Sequence, residues 1–256
     1  MLNFHKAPSP HFNERTLPID TIILHYTDMP TADEALAWLC HPTSQVSAHY
    51  LIDETGKTYQ LVEDKKRAWH AGESFWQGCT DINSCSLGIE LSNPGHSHGY
   101  QPFPNAQIDA LLQLCEQLRA HWNIPKTRVL GHSDIAPRRK QDPGHLFPWE
   151  KLAREGLGLW PTLPAVYSEV TPRDLIAGSR KASQSRKASQ WIPRSSRGTS
   201  GFIENSLATI GYETISLPHT IRAFKQHFQP HQGDDRADEE THLLIQGLLD
   251  SLKMPI

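Results

Sequence analysis

His132 and Asp142 lie ten positions apart, in Gly131-His132-Ser133-Asp134 and Lys140-Gln141-Asp142-Pro143-Gly144. Pro137, Pro143 and Gly144 punctuate the stretch between and after them, so the two cannot sit on one regular helix. They read as two arms of a loop closing on one point. An imidazole nitrogen and a carboxylate oxygen are donors that a divalent metal such as zinc takes at about 2.0–2.2 Å, and a catalytic centre usually has three protein ligands plus water. His25 is the best third ligand. It ends the apolar run Thr21-Ile22-Ile23-Leu24, where a strand would deliver it to a sheet edge.

Two further side chains could act beside such a centre. Glu90 lies in Leu87-Gly88-Ile89-Glu90-Leu91, a run otherwise apolar on both sides. It is either an outward-facing or salt-bridged carboxylate, or a general base in a low-dielectric wall, tuned to take a proton from water. Lys140 precedes Asp142 by two positions and is either a solvated loop lysine or a positive charge placed where an oxyanion develops. The other histidines are easily over-read, because the chain has 15 of them. His5, His11, His41, His96, His98, His121, His219, His227, His231 and His242 fall in loops or on polar helix faces and read as surface imidazoles.

The elements that would position these groups follow from periodicity. Ile19 to Tyr26 reads as a buried strand, and Ser86 to Leu91 as another. Thr31-Ala32-Asp33-Glu34 is a capping-box signature ahead of a short helix, Ala35 to Leu39. Ala48 to Ile52 and Thr58 to Val62 flank Asp53-Glu54-Thr55-Gly56-Lys57, a hairpin signal. Ile108, Leu111, Leu112, Cys115, Leu118 and Trp122 recur at helical spacing over about 105–121. Arg128, Val129 and Leu130 make a short strand into the His132 segment, and Trp149 to Arg154 a last helix. Residues 1–18 show no periodicity and are expected to wrap the surface. Interleaved strands and helices imply an α/β domain with a central mixed β-sheet flanked by helices, over 1–165.

Beyond Trp160 the composition changes. Residues 171–200 carry seven Lys or Arg against one acid, and Ser-Arg-Lys-Ala-Ser-Gln occurs twice, at 179–184 and 185–190. A hexad this polar cannot bury enough apolar surface to offset its ordering entropy, so 166–200 reads as a flexible basic linker. Residues 201–256 then turn helical, with Phe202 to Ile210, an Ile221/Phe224/Phe228 face and an Ile245/Leu248/Leu249/Leu252 face. They form either a small three-helix domain or a helical cap on the first domain.

The chain has 256 residues, 38% hydrophobic and 21% charged, with a net charge of -3. That gives no case for nucleic acid as a partner. No run approaches the ~18 apolar residues of a spanning helix. The N-terminus lacks the apolar core of a secretion signal. The four cysteines form no Cys-x-x-Cys pair, which makes a thiolate zinc cage improbable. Cys79 and Cys85 are near enough for a short disulfide in an oxidising compartment, and Cys40 and Cys115 read as buried small hydrophobes.

Six segments occur in order: Leu24-His25-Tyr26-Thr27, Ser47-Ala48-His49-Tyr50, Ala68-Trp69-His70-Ala71-Gly72, Leu87-Gly88-Ile89-Glu90, Gly131-His132-Ser133-Asp134-Ile135-Ala136-Pro137 and Lys140-Gln141-Asp142-Pro143-Gly144. Together they resemble the zinc-dependent N-acetylmuramoyl-L-alanine amidases of the type-2, peptidoglycan-recognition-like family, from about Ile19 to Trp160. The resemblance implies Zn²⁺ on His25, His132 and Asp142, Glu90 as general base and Lys140 as transition-state stabiliser. It implies a substrate groove lined by Trp69, His70, Ala71 and Gly72, and peptidoglycan or muropeptide as the substrate partner. His145 departs from the pattern, where proline is expected, and is read as facing solvent. The tail more weakly resembles peptidoglycan-binding modules, chiefly through Leu217 to Phe228. That favours the periplasm or the outer-membrane face over the cytoplasm. A non-catalytic recognition protein and an exported antibacterial effector are the alternatives.

Overall fold

A computed structural model describes residues 4–161, 200–231 and 233–253. The basic linker and its tandem hexads lie outside the described residues. A six-stranded mixed sheet runs in the order β1-β5-β4-β7-β3-β8. Its strands are β1 (His5–Lys6), β3 (Thr21–Tyr26), β4 (Tyr50–Ile52), β5 (Thr58–Gln60), β7 (Ser86–Leu91) and β8 (Val129–Gly131). Strand β3 is parallel to both β7 and β8, and β4 is parallel to β7 but antiparallel to β5. A two-stranded ribbon, β2 (Phe12–Glu14) with β6 (Lys66–Ala68), lies apart from it. Residues 1–18 therefore do more than wrap the surface, since they supply an edge strand and half of the ribbon. Both pieces are exposed and only two or three residues long, too short to show a period.

Side-chain alternation sorts the sheet into two faces. Ile22, Leu24, Leu87, Ile89 and Leu91 point into a core shared with α4 (Asn105–Trp122) and α6 (Trp149–Arg154). The apolar stripe of α4 is buried as the spacing predicts at Ile108, Leu111, Cys115 and Leu118, whereas Leu112 and Trp122 are only half-buried and Leu114, outside the expected stripe, is buried in their place. Asn123 ends the helix in the left-handed conformation, φ 55°. Buried Gln107 pins α4 to the sheet by donating to the carbonyls of Ile52 and Ser92, both at 2.9 Å.

The opposite face carries Ile23, His25, Gly88, Glu90, Leu51 and Leu130. At one side it is covered by α1 (Ala32–Leu39), whose Ala35 and Leu39 pack on Leu51. Thr31 caps α1, accepting the Glu34 N–H at 3.2 Å. The other side is covered by the C-terminal helices α7 (Ser200–Ile210), α8 (Leu217–Phe228) and α9 (Glu239–Lys253). Their Leu207, Ile210, Phe224 and Leu248 share one apolar cluster with Ile23, Trp76, Leu130 and Ile135. Between the two covers, part of the sheet face stays open to a cleft.

Candidate metal centre and its cleft

Because β3, β7 and β8 are parallel, their carboxyl ends lie along one edge, where open α/β sheets place their ligands. His25 and Glu90 are Cα partners across β3 and β7, so their side chains leave the same face. Strand β8 stops at Gly131 and hands over to the one-turn helix α5 (His132–Ile135). The returning loop is held against that turn, since the Ser133 N–H donates to the Asp142 carbonyl at 2.9 Å. Tyr100 clamps the loop from outside. Its hydroxyl donates to Pro143 O at 2.7 Å and accepts the Leu146 N–H at 3.0 Å.

These constraints bring three side chains together. His25 Nδ1 lies 2.9 Å from His132 Nδ1, and both nitrogens lie 3.0 Å from Asp142 Oδ2. All three residues are buried, and among the described residues they are the one cluster able to hold a metal ion. The triangle is close to one face of a tetrahedral zinc shell, whose ligand atoms stand about 3.3 Å apart for bonds near 2.0 Å. The imidazoles are oriented for it. His132 Nε2 faces the Ala71 carbonyl at 3.0 Å, and His25 Nε2 faces His70 Nδ1 at 3.0 Å. A proton on each Nε2 leaves each Nδ1 lone pair aimed at the common point. His70 passes the chain on through Nε2 to Ser86 Oγ at 3.2 Å, and that hydroxyl donates to Ile82 O.

Electrostatics agree with the geometry. Burial, and then the neighbouring His132, push His25 down to about 4, so its ring is neutral at ordinary pH. Burial alone would raise Asp142, but His132 and then His25 hold its carboxyl far below the usual range. Glu90 behaves in the opposite way. Burial, and then Asp142, raise it well above the usual carboxylate range, with Lys140 working against them. Its Oε2 is buried and has no hydrogen-bond partner in the protein.

The cleft over the cluster has a volume of about 310 Å³ and is lined by His25, His132, Asp142, Glu90, Lys140 and Trp69 among others. Lys140 is exposed at its rim. Of the remaining groove residues, His70 also reaches the cleft but is 9% exposed and stands behind His25. Ala71 is fully buried and contributes its carbonyl, while Gly72 takes a positive φ of 59° beside Arg139. Asn83 Oδ1 fixes this turn by accepting the N–H groups of His70 and Ala71 at 2.9 and 2.8 Å.

Several supporting residues escape a reading by spacing. Gly88 has a local signal, a glycine inside an apolar strand. A Cβ there would meet the His70 ring at 2.5 Å, so the strand admits the imidazole only as glycine. His49 is fully buried, accepting the Gly88 N–H at Nδ1 at 2.9 Å. Two histidines expected at the surface are also buried, His11 at 6% and His227 at 3% exposure. His11 reaches the His41 carbonyl, and His227 reaches Asp134, partners remote in sequence that no local pattern announces. His145 is half-buried, its ring edge-on to Tyr100 at 5.4 Å. Cys79 and Cys85 are free thiols with sulfurs 3.8 Å apart. Burial, then Cys79, push the Cys85 thiol up to about 12.

The buried imidazoles imply a stability profile. Burial pushes His25 down to about 4 and His49 to about 3 in the folded chain, against 6.5 for the free side chain. Below pH 6.5 the unfolded chain takes up protons that the folded one refuses, so stability falls with pH through the window from 6.5 to 4. At pH 5 each histidine costs about 2 kcal/mol. Buried His70, pushed well below its usual range, adds to this loss, while Glu90, raised well above its own, takes up a proton in the folded chain and offsets part of it. The metal-free protein should therefore lose on the order of 10 °C in Tm between pH 7 and pH 5. A chelator-treated sample whose Tm holds or rises on acidification contradicts this.

A buried two-histidine, one-carboxylate cluster at the strand ends of an open α/β sheet, with a partnerless carboxylate beside it, is an arrangement able to hold a divalent ion next to a proton acceptor. The sequence matches the family described as N-acetylmuramoyl-L-alanine amidase over residues 15–145. The chain is 35% identical to the N-acetylmuramoyl-L-alanine amidase AmiD of Escherichia coli K12 over 250 residues, 91% of this chain and 83% of that protein. The structure of AmiD in complex with the substrate anhydro-N-acetylmuramic acid-L-Ala-D-γ-Glu-L-Lys superposes with a TM-score of 0.74 at 32% identity, covering 94% of this chain and 98% of that one. AmpDh3 of Pseudomonas aeruginosa superposes with a TM-score of 0.78 at 25% identity, covering 99% and 100%. The 1,6-anhydro-N-acetylmuramyl-L-alanine amidase AmpD of Haemophilus influenzae is 36% identical over 163 residues, 56% of this chain and 86% of that protein.

The chain therefore belongs to the N-acetylmuramoyl-L-alanine amidase family. The mixed sheet flanked by helices is the fold of AmiD and AmpDh3. Among the described residues no helix is long and apolar enough to cross a membrane.

Proposed function

We propose that the chain hydrolyses the amide bond between the lactyl carboxyl of N-acetylmuramic or anhydro-N-acetylmuramic acid and L-alanine of the peptidoglycan stem, with zinc on His25, His132 and Asp142. The observation that carries this is the convergence of those three donor atoms at 2.9–3.0 Å with both imidazoles oriented from behind. Two imidazoles and one carboxylate suit zinc, and three protein ligands leave a fourth position free for water or substrate. Zinc held there supplies Lewis acidity, bringing the pKa of water toward 7 and drawing charge from a carbonyl oxygen.

The protein's own groups do the rest. Glu90 Oε2, buried and unpartnered, takes the proton released as water adds to the amide carbon and returns it to the leaving L-alanine nitrogen. Because burial and Asp142 raise its affinity for a proton, this carboxylate is a stronger base than one in water. Lys140 lines the rim of the same cleft, and its ammonium is the positive charge available to offset the negative charge that grows on the carbonyl oxygen. Trp69, half-buried on the cleft wall, offers an apolar face to the sugar–peptide junction, while His70 and Ala71 keep His25 and His132 in line. An envelope location suits a substrate taken from the wall and is proposed on that ground.

Mass spectrometry of anhydro-muropeptides incubated with the protein tests the reaction. The expected products are the free stem peptide, beginning at L-alanine, and the intact muramyl sugar, both abolished by a chelator and restored by zinc. Cleavage elsewhere in the molecule, or release unaffected by the chelator, contradicts the reading.

A further inference from the structure

We propose that the C-terminal helices are built into the catalytic centre, with Tyr212 and His227 as positioning residues that hold the His132 turn through Asp134. The inference rests on the reading of His132 as a metal ligand.

A one-turn helix such as α5 cannot hold its own shape, because nucleation costs more than a single turn returns. Something outside must fix the direction of His132. Asp134, in the same turn, is 0% exposed, and a carboxylate buried so deeply is tolerated only when its oxygens are supplied with donors. Its own loop supplies one, the Gly131 N–H at 2.8 Å on Oδ2. The other two come from the tail. The Tyr212 hydroxyl donates to Oδ1 at 2.6 Å from 78 positions away, and His227 Nδ1 donates to Oδ2 at 2.8 Å from 93 positions away.

Both donors are themselves locked. The Tyr212 ring stands edge-on to Trp76 at 4.9 Å. The His227 ring lies between Trp149 at 3.7 Å and Phe228 at 3.9 Å, stacked on both. Trp149 in turn crowds Gly131, where a Cβ would stand 3.2 Å from the indole and 2.8 Å from Pro143. The hinge residue between β8 and His132 is thus gripped by α6, by the Asp142 loop and, through Asp134, by the tail. One backbone hydrogen bond and one side-chain ion pair add to the attachment. The Gln77 N–H donates to Gly211 O at 2.9 Å, and Arg138 pairs with Glu213 at 3.0 Å. A module that only tethers the enzyme to a polymer has no need of donors reaching the carboxylate beside a metal ligand.

The test uses the full-length protein, stripped of metal and titrated with cobalt(II), alongside kinetics on a small soluble muropeptide that needs no polymer binding. Tyr212→Phe removes one hydroxyl, and His227→Phe keeps the stacking but removes the donor. His227→Asn returns an N–H close to the Nδ1 position. The double Tyr212→Phe/His227→Phe variant should bind cobalt about tenfold more weakly, as loss of outer partners of a ligand does. Its visible absorption bands should shift, and kcat should fall while KM holds. His227→Asn should recover the wild-type spectrum despite losing the stack. A double variant with wild-type cobalt affinity and spectrum overturns the proposal, even if its Tm drops. Failure of the wild-type protein to bind cobalt at all would instead remove the metal reading beneath it, and the proposal with it.

Discussion

Replacing Glu90 by glutamine is expected to lower kcat by about a thousandfold while leaving one metal ion per chain, within the span usual for loss of a general acid–base group. The substitution keeps shape and volume but removes the ability to accept a proton. Glu90 is not a ligand, since the three converging donors come from His25, His132 and Asp142. Metal content should therefore be unchanged. A second readout separates this role from a structural one. The wild-type carboxylate leaves a buried oxygen without a partner, and its proton affinity is raised first by burial and then by Asp142. Removing that charge should leave the metal-free protein at least as stable as wild type. A slow variant with unchanged metal and an equal or higher Tm is the expected combination, and a kcat within a few-fold of wild type contradicts the assignment of the base.

Asp142→Ala is expected to fail in the other way. It removes one of three protein donors and leaves His25 and His132 facing each other at 2.9 Å with no carboxylate between them. Structural zinc sites hold the ion by about 10–16 kcal/mol shared among four ligands. Loss of one ligand should therefore cost about 3 kcal/mol, or more than a hundredfold in affinity. Activity at micromolar zinc should vanish and return in part at high zinc, a rescue that Glu90→Gln should not show. Competition against a chromophoric chelator measures the affinity directly, and wild-type affinity in Asp142→Ala excludes it as a ligand.

How much of this was legible in the sequence depended on whether the signal was local. The strand ending at His25, the strand carrying Glu90 and the long helix at 105–122 announce themselves by period, because each buries a continuous face. The order and spacing of the six motifs group His25, His132 and Asp142 without any knowledge of the fold. Burial of His227 and His11 was not legible, because each is decided by partners remote in the chain: Asp134 and Trp149 for one, His41 for the other. The motif around His70 marked a functional segment, yet only the fold reveals that its imidazole backs His25, with Gly88 making room. Strands of two or three residues, such as His5–Lys6 and Phe12–Glu14, carry too few side chains to show alternation. The tail's three helices were readable from their apolar faces. Their shared core with Ile23, Leu130 and Ile135 was not, because an amphipathic face does not name its partner.

The central claim is that two imidazoles and one carboxylate close on a single ion. Zinc-edge X-ray absorption on the loaded wild-type protein and on Asp142→Ala, measured side by side, tests it most directly. The account predicts one zinc per wild-type chain, with two imidazole nitrogens and oxygen donors at about 2.0–2.2 Å, and little or no bound zinc in the variant under the same conditions. A first shell without histidine, or an identical spectrum from the variant, would contradict it.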